Sequence, residues 1–220
     1  MNVLVIAPHP DDEVLGCGGT IAKHASQGDS VYVVIVTKGR EPLFSPESVE
    51  QVRDECIRAD KYLGVKETIF WDFPAVMLEE IPRYILNEAF IRIIQSIKPE
   101  IIYLPHRGDI QLDHKITVDA AMVALRPKYK HVVKKIYSYE TLSETGWDIP
   151  NNMNEFIPLA YNDISEYLEK KVEAMIIFKS QLAKYPSVRS VESIRALAIY
   201  RGTNVSLKAA EAFYILREIM

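Results

Sequence analysis

The chain opens on NVLVIA, five of whose six residues are apolar, and PHPDDE follows at once. A continuous apolar run that stops at a polar turn fits a strand covered on both faces. Further strands are predicted at SVYVVIVTKG (30–39), ETIFWDF (67–73), EIIYLPH (100–106) and VKKIYSYE (133–140). The second is rich in β-branched residues, which favour the pleated conformation. Between the strands lie segments with helical character: 14–29, 45–65, 81–99 and 113–127. Ser45 offers an N-cap with Pro46 after it, and Gly28 and Gly64 close the first two helices. The third, IPRYILNEAFIRIIQSIKP, is amphipathic and stops before Pro99. Strand and helix therefore alternate five times. That order predicts an α/β fold of the Rossmann-like kind: a mainly parallel sheet sandwiched by helices, with its ligand site at the carboxyl ends of the strands.

Beyond about residue 140 the pattern loosens. Residues 141–158 are polar and irregular and read as a loop over the top of the sheet. A short strand is expected within 156–163, and helices over 164–182 and 193–202. Residues 209–220, AAEAFYILREIM, fit a strand or a helix, and FYIL favours the strand. With no repeat and no low-complexity linker, residues 1–220 are expected to form a single domain.

Composition narrows the function. Hydrophobic residues make up 48% of the chain and the formal net charge is −4, with no basic block to bind nucleic acid. No apolar run reaches the roughly 18 residues of a membrane span, and the short N-terminal run lacks the flanks of a signal peptide. Cys17 and Cys56 stand far apart, in no metal-type pair, and fit buried thiols of a reducing, cytoplasmic setting.

The chemistry gathers in two loops. PHPDDE follows the first strand and PHRGDIQLDH the fourth, so both belong at the carboxyl rim of the sheet. Together they carry His9, Asp11, Asp12, Glu13, His106, Asp109, Asp113 and His114. A phosphate-binding role is disfavoured, because no G-x-G-x-x-G follows the first strand and three acids would repel a pyrophosphate. A divalent metal, in contrast, rewards crowded acids by neutralising them. Histidine and carboxylate ligands with an open position describe catalytic zinc. His9 and Asp12, three residues apart, are expected to hold one ion with His114 from the distant loop. Asp11 then stands beside the metal, free to act as general base on bound water. Asp113 is expected to orient a neighbouring histidine, and Glu13 to sit in a helix first turn, favoured by the dipole.

PHPDDE followed by GGT, then the R..E helix, D...DH, and A..YRG......AEAF, resembles the PIG-L/LmbE-like family of zinc-dependent N-deacetylases, in order along nearly the whole chain. Family members remove acetyl from N-acetylglucosamine joined to a carrier such as inositol, inositol phospholipid or malate. The resemblance implies one zinc ion on His9, Asp12 and His114, Asp11 as base, Arg53 at the polar end of the substrate, and assembly as a homo-oligomer. One position departs from the family. Many relatives read HPDH where this chain reads QLDH, so Gln111 replaces a histidine that stabilises the oxyanion or protonates the amine. Glutamine donates a hydrogen bond but delivers no proton. His106 and Asp11 are the two candidates for that acid role, and Gln111 and Asp109 are expected at the substrate.

The expected activity is thus hydrolysis of an N-acetylated amino sugar or sugar conjugate. A metal-dependent hydrolase of a non-sugar amide, or a metal- or sugar-binding module without turnover, remain the alternatives. Another divalent transition metal in place of zinc also fits these ligand types.

Overall fold

The computed structural model describes residues 1–152 and 154–220. Seven strands among the described residues form one sheet: β1 (Asn2–Ala7), β2 (Ser30–Lys38), β3 (Glu67–Pro74), β4 (Ile101–Pro105), β5 (Lys135–Tyr139), β6 (Ala160–Asp163) and β7 (Ala210–Glu218). Their order across the sheet is β3-β2-β1-β4-β5-β7-β6. The first five run parallel; β7 lies antiparallel to β5, and β6 antiparallel to β7. Among the described residues, six α-helices accompany them: α1 (Asp12–Ser26), α2 (Pro46–Leu63), α3 (Arg83–Ile97), α4 (Leu112–Ala124), α5 (Leu168–Ile177) and α6 (Val191–Thr203). This is an α/β fold with a mostly parallel central sheet flanked by helices. No helix among the described residues is long and apolar enough to cross a membrane.

Alternation along β1 divides the core in two. Val3 and Val5 pack with Val14 and Ile21 of α1, Cys56 and Leu63 of α2 and Met175 of α5. Leu4 and Ile6 point the other way, against Phe90 and Ile94 of α3 and Val118 of α4. β1 has β2 on one side and β4 on the other, so strand order reverses there. The crevice that such a reversal opens lies outside the carboxyl ends of β1 and β4. Residues 8–11 and 106–111 leave from those two ends.

Three details go beyond the pattern. Helix α1 begins at Asp12, two residues earlier than its apolar periodicity, with Asp11 at the N-cap position. The predicted helix over 164–182 shortens to α5 and ends at Ile177. Glu55 of α2 captures the chain beyond that point: its carboxylate accepts from the Ser180 hydroxyl at 2.5 Å and from the Ser180 N–H. The ambiguous C-terminal segment is β7, because it fills the gap between β5 and β6 and pairs with both.

The glycines of α1 allow close packing. A Cβ on Gly16 would stand 2.1 Å from the Tyr139 ring, whose hydroxyl donates to the Ile6 carbonyl at 2.9 Å. Nearby, a buried ion pair joins α5 to β7, with Lys171 Nζ 2.6 Å from Glu211 Oε1. Glu211 also accepts from the N–H groups of Gly19 and Thr20, and Lys171 donates to the Leu15 carbonyl. This pair locks α5 and β7 onto the helix that carries Asp12. Breaking a buried pair by removing one partner leaves an uncompensated charge and costs about 3–5 kcal/mol. Lys171→Met is therefore expected to lower the stability by that amount in urea titration; an unchanged midpoint would count against the interaction.

Candidate metal centre and active site

The N-terminus of α1 and that of α4 face each other across the crevice. Asp12 occupies the first turn of α1 and His114 the first turn of α4, and His9 comes from the turn between β1 and α1. One ligand atom of each of these three residues lies within 4.8 Å of the others. Asp12 Oδ2 is the common point, 3.2 Å from His9 Nδ1 and 3.2 Å from His114 Nε2. His114 Nε2 is fully buried yet makes no hydrogen bond of good geometry. An orphaned buried nitrogen carries a cost that a metal ion would remove.

The far side of each imidazole is held by a carboxylate. His9 Nε2 lies 2.9 Å from Asp113 Oδ2, and His114 Nδ1 lies 2.8 Å from Asp109 Oδ2. Carboxylate behind histidine is the arrangement that fixes ring orientation and tautomer in metal sites. Asp113 is itself held by the Val76 N–H at 2.6 Å. Asp109 accepts from Thr145 Oγ1 at 2.6 Å. The donor set, two imidazoles and a carboxylate with second carboxylates behind the rings, fits a divalent transition metal.

Without a metal, protons take up the same charge. Burial pushes the His9 imidazolium down, but hydrogen bonds to Asp113 and Asp12 outweigh it and raise its pKa to about 9. Burial likewise opposes charge on His114, and the Asp12 and Asp109 carboxylates raise it to about 10. Asp12 is correspondingly held well below the usual carboxylate range: burial works against its charge, but His114 and His9 prevail.

Asp11 is 1% exposed and takes a left-handed backbone, φ 109°. A non-glycine residue in that region is uncommon and costs conformational energy. Glu13 offsets it by accepting the Asp11 N–H at 3.0 Å. Glu13 is fully buried, so burial, with Asp60 and Asp11 adding to it, raises its carboxyl well above the glutamate range. Its place in the first turn of α1 is thus joined to a second task, holding the Asp11 backbone. The Asp11 carboxyl is pushed up to about 7 by burial, against the pull of Arg189. Arg189 Nη1 stands 2.9 Å from Asp11 Oδ2, close enough for an ion pair though not aligned as a hydrogen bond.

A cleft of about 220 Å³ opens over these groups, bordered by His9, Asp11, Arg53, Gln111, Glu144 and Arg189 among others. Arg53 is bound to Asp72 at 2.7 Å and lies over the Phe70 ring. Gln111 occupies the N-cap position of α4 without capping it, and its Oε1 is buried without a partner.

Two residues expected at the reacting centre stand elsewhere. His106 is 6% exposed, its Nε2 is 3.1 Å from the Asn154 carbonyl, and its ring meets Phe156 edge-on. It does not line the cleft, because the chain turns away between β4 and α4. Asp109 has no exposure at all and stands behind His114, so it reaches the site through that ring and not through substrate contact. Conversely, Val76 and Arg189 stand at the site without any signal in the sequence pattern, while Glu144 and Thr145 come from the irregular 141–158 loop expected over the top of the sheet. They lie on loops whose residue types and spacing carry no periodicity.

Residues 4–125 match the family described as PIG-L: GlcNAc-PI de-N-acetylase. The chain belongs to the PIG-L family. The match runs from β1 through α4 and so contains both site loops. Among curated proteins, the chain is 28% identical over 188 residues to the uncharacterized deacetylase YaiS of Escherichia coli K12, covering 81% of this chain and 91% of that protein. It is 26% identical to the diacetylchitobiose deacetylase of Thermococcus kodakarensis, covering 96% of this chain and 81% of that one. Among solved structures, GalB, the 4-carboxy-2-hydroxymuconate hydratase of Pseudomonas putida KT2440, superimposes with a TM-score of 0.80 at 20% identity, over 100% of this chain and 97% of that one. That likeness shows the fold alone. A PIG-L-type fold is thus not tied to one reaction, and activity must be argued from the site.

Proposed function

We propose that the protein is a zinc-dependent N-deacetylase that removes acetyl from an N-acetylated amino sugar or sugar conjugate. The observation that carries this is the convergence of His9, Asp12 and His114 on one point beside a cleft that Asp11 borders. Family membership and the deacetylase relatives support the amide as the bond that is cut.

His9, Asp12 and His114 would hold the ion. Bound zinc supplies a Lewis acid for the acetamide carbonyl and brings water toward a neutral pKa. Asp113 and Asp109 keep the two imidazoles in the tautomer that presents a lone pair to the centre. Asp11 takes the proton of the attacking water. A base with a pKa near 7 suits that task at neutral pH. Gln111, at the cleft wall, donates a hydrogen bond toward the oxygen that gains charge. Arg53, at the rim, meets the polar end of the substrate. The whole chain acts as one catalytic domain, in a cytoplasmic setting that suits its two free buried cysteines.

Two measurements on the purified protein test the proposal together. Elemental analysis is expected to find one zinc per chain. A panel of N-acetylated sugars and simple amides is expected to release acetate and free amine from the sugars. Turnover of the simple amides alone would move the substrate outside the sugars. Metal-loaded protein that hydrolyses nothing across the panel would sink the enzymatic reading.

A further inference from the structure

We propose that Glu144 is the acid that hands a proton to the departing amine. This rests on the deacetylase reading above and adds the one chemical role that reading leaves open. Amide cleavage needs a proton on the nitrogen, because an amine leaves poorly as an anion. In this chain Gln111 stands where that proton donor is expected, and its side chain has none to give. His106 is turned to Asn154 and does not reach the cleft.

The cleft lining leaves few alternatives among the described residues. Its ionisable members are His9, Asp11, Lys38, Arg53, Glu144 and Arg189. Both nitrogens of His9 are engaged by carboxylates. Arginine does not give up its proton in proteins, and Arg53 and Arg189 are in addition paired with Asp72 and Asp11. Lys38 stands at the rim, 3.8 Å from Asp72. Asp11 takes the proton of the attacking water beside Arg189, and a shuttle of that proton by Asp11 alone is the outcome in which Glu144→Gln keeps its kcat. Glu144 is the carboxyl that remains.

Its placement is set by the loop that bears it. The Ile110 N–H donates to the Glu144 carbonyl, which brings Glu144 beside the residue that precedes Gln111. The next residue, Thr145, donates from Oγ1 to Asp109 at 2.6 Å and accepts from the Thr141 N–H at 2.9 Å. Asp109 is the carboxylate that orients His114. The acid loop and the metal ligand therefore hang on the same side chain. Glu144 is half-buried, which favours the neutral, proton-bearing form; burial raises its carboxyl above the ordinary range, against the pull of His114.

The step balances as follows. Water adds to the carbonyl carbon and its proton goes to Asp11, leaving a tetrahedral adduct. The Glu144 O–H bond breaks and its proton goes to the nitrogen. The C–N bond breaks with its electron pair staying on nitrogen, and the C=O bond re-forms from the oxyanion lone pair. Acetic acid and free amine leave. Asp11 returns its proton to solvent and Glu144 takes one back, so no oxidant or second substrate is consumed.

Glu144→Gln, assayed on the N-acetylated sugar that the wild type turns over best, is expected to lose about a hundredfold or more in kcat. KM should stay within about threefold and metal content should be unchanged, because a proton donor acts after binding. Glu144→Ala should lose as much, and in both variants the alkaline fall of kcat, where the donor gives up its proton, should disappear from the pH profile. A merely structural role would leave that alkaline fall in place. Circular dichroism of both variants checks folding, and either one that folds decides the question. A kcat within threefold of wild type in Glu144→Gln, or an alanine variant that folds and keeps the alkaline fall, overturns the proposal while leaving the deacetylase reading intact. A wild type that releases no acetate from any sugar removes both.

Discussion

Asp11→Asn is expected to lower kcat by about a hundred- to ten-thousand-fold, with the zinc content unchanged. Asparagine is nearly the same size and keeps the hydrogen-bond acceptor, so it fits the space at the head of α1. It does not accept a proton at neutral pH. The left-handed backbone at position 11 is also safe, since asparagine is among the residues that tolerate it. The Glu13 carboxylate still accepts the backbone N–H of residue 11, because that contact involves no side chain of Asp11. What disappears is the carboxylate opposite Arg189 and its capacity to take the proton of water. Steady-state kinetics with metal analysis on the same sample checks this. Turnover within a few-fold of wild type would remove Asp11 from the chemistry.

His114→Ala is the second large effect, and it acts one step earlier. The variant is expected to lose bound zinc and, with it, all measurable turnover. Three protein ligands are the usual minimum of a catalytic zinc site, and alanine leaves two. The Asp109 carboxylate would also lose its ring partner inside the core, where an unpaired charge is costly. Asp109→Asn separates the two causes. It keeps the ring and removes only the carboxylate behind it, which should weaken metal affinity by about 10–100-fold. Competition with a chelator, read by zinc release, ranks wild type, Asp109→Asn and His114→Ala in that order. Full zinc retention in folded His114→Ala would place the metal elsewhere and break the account of the centre.

Much of this architecture was readable from the residues in order. The strand runs 2–7, 30–39, 67–73, 100–106 and 133–140 all correspond to observed strands. Helix α2 starts and stops where Ser45, Pro46 and Gly64 indicate. Such signals are local: a strand buried on both faces must be apolar along its length, and a helix must show its caps within one turn. The two site loops were legible for a related reason. Parallel strands send their carboxyl ends to one rim, so PHPDDE and QLDH could meet there, and the adjacency of β1 and β4 brings them together.

Side-chain direction was not legible. His106 and His114 lie eight residues apart in one stretch, and only the turn into α4 decides that one faces Asp12 and the other Asn154. Asp109 and Asp113 look alike in sequence, yet one stands behind His114 and the other behind His9. Sequence alone determined the parallel sheet, the rim on which chemistry gathers and the residue types gathered there, because hydrophobic period and capping act within a few residues. Only the tertiary structure decided that β7 is a strand between β5 and β6, that Glu55 ends α5, and that Arg189 and Glu144 border the cleft. Those outcomes depend on contacts between segments tens to nearly two hundred residues apart, and no local periodicity encodes such a contact.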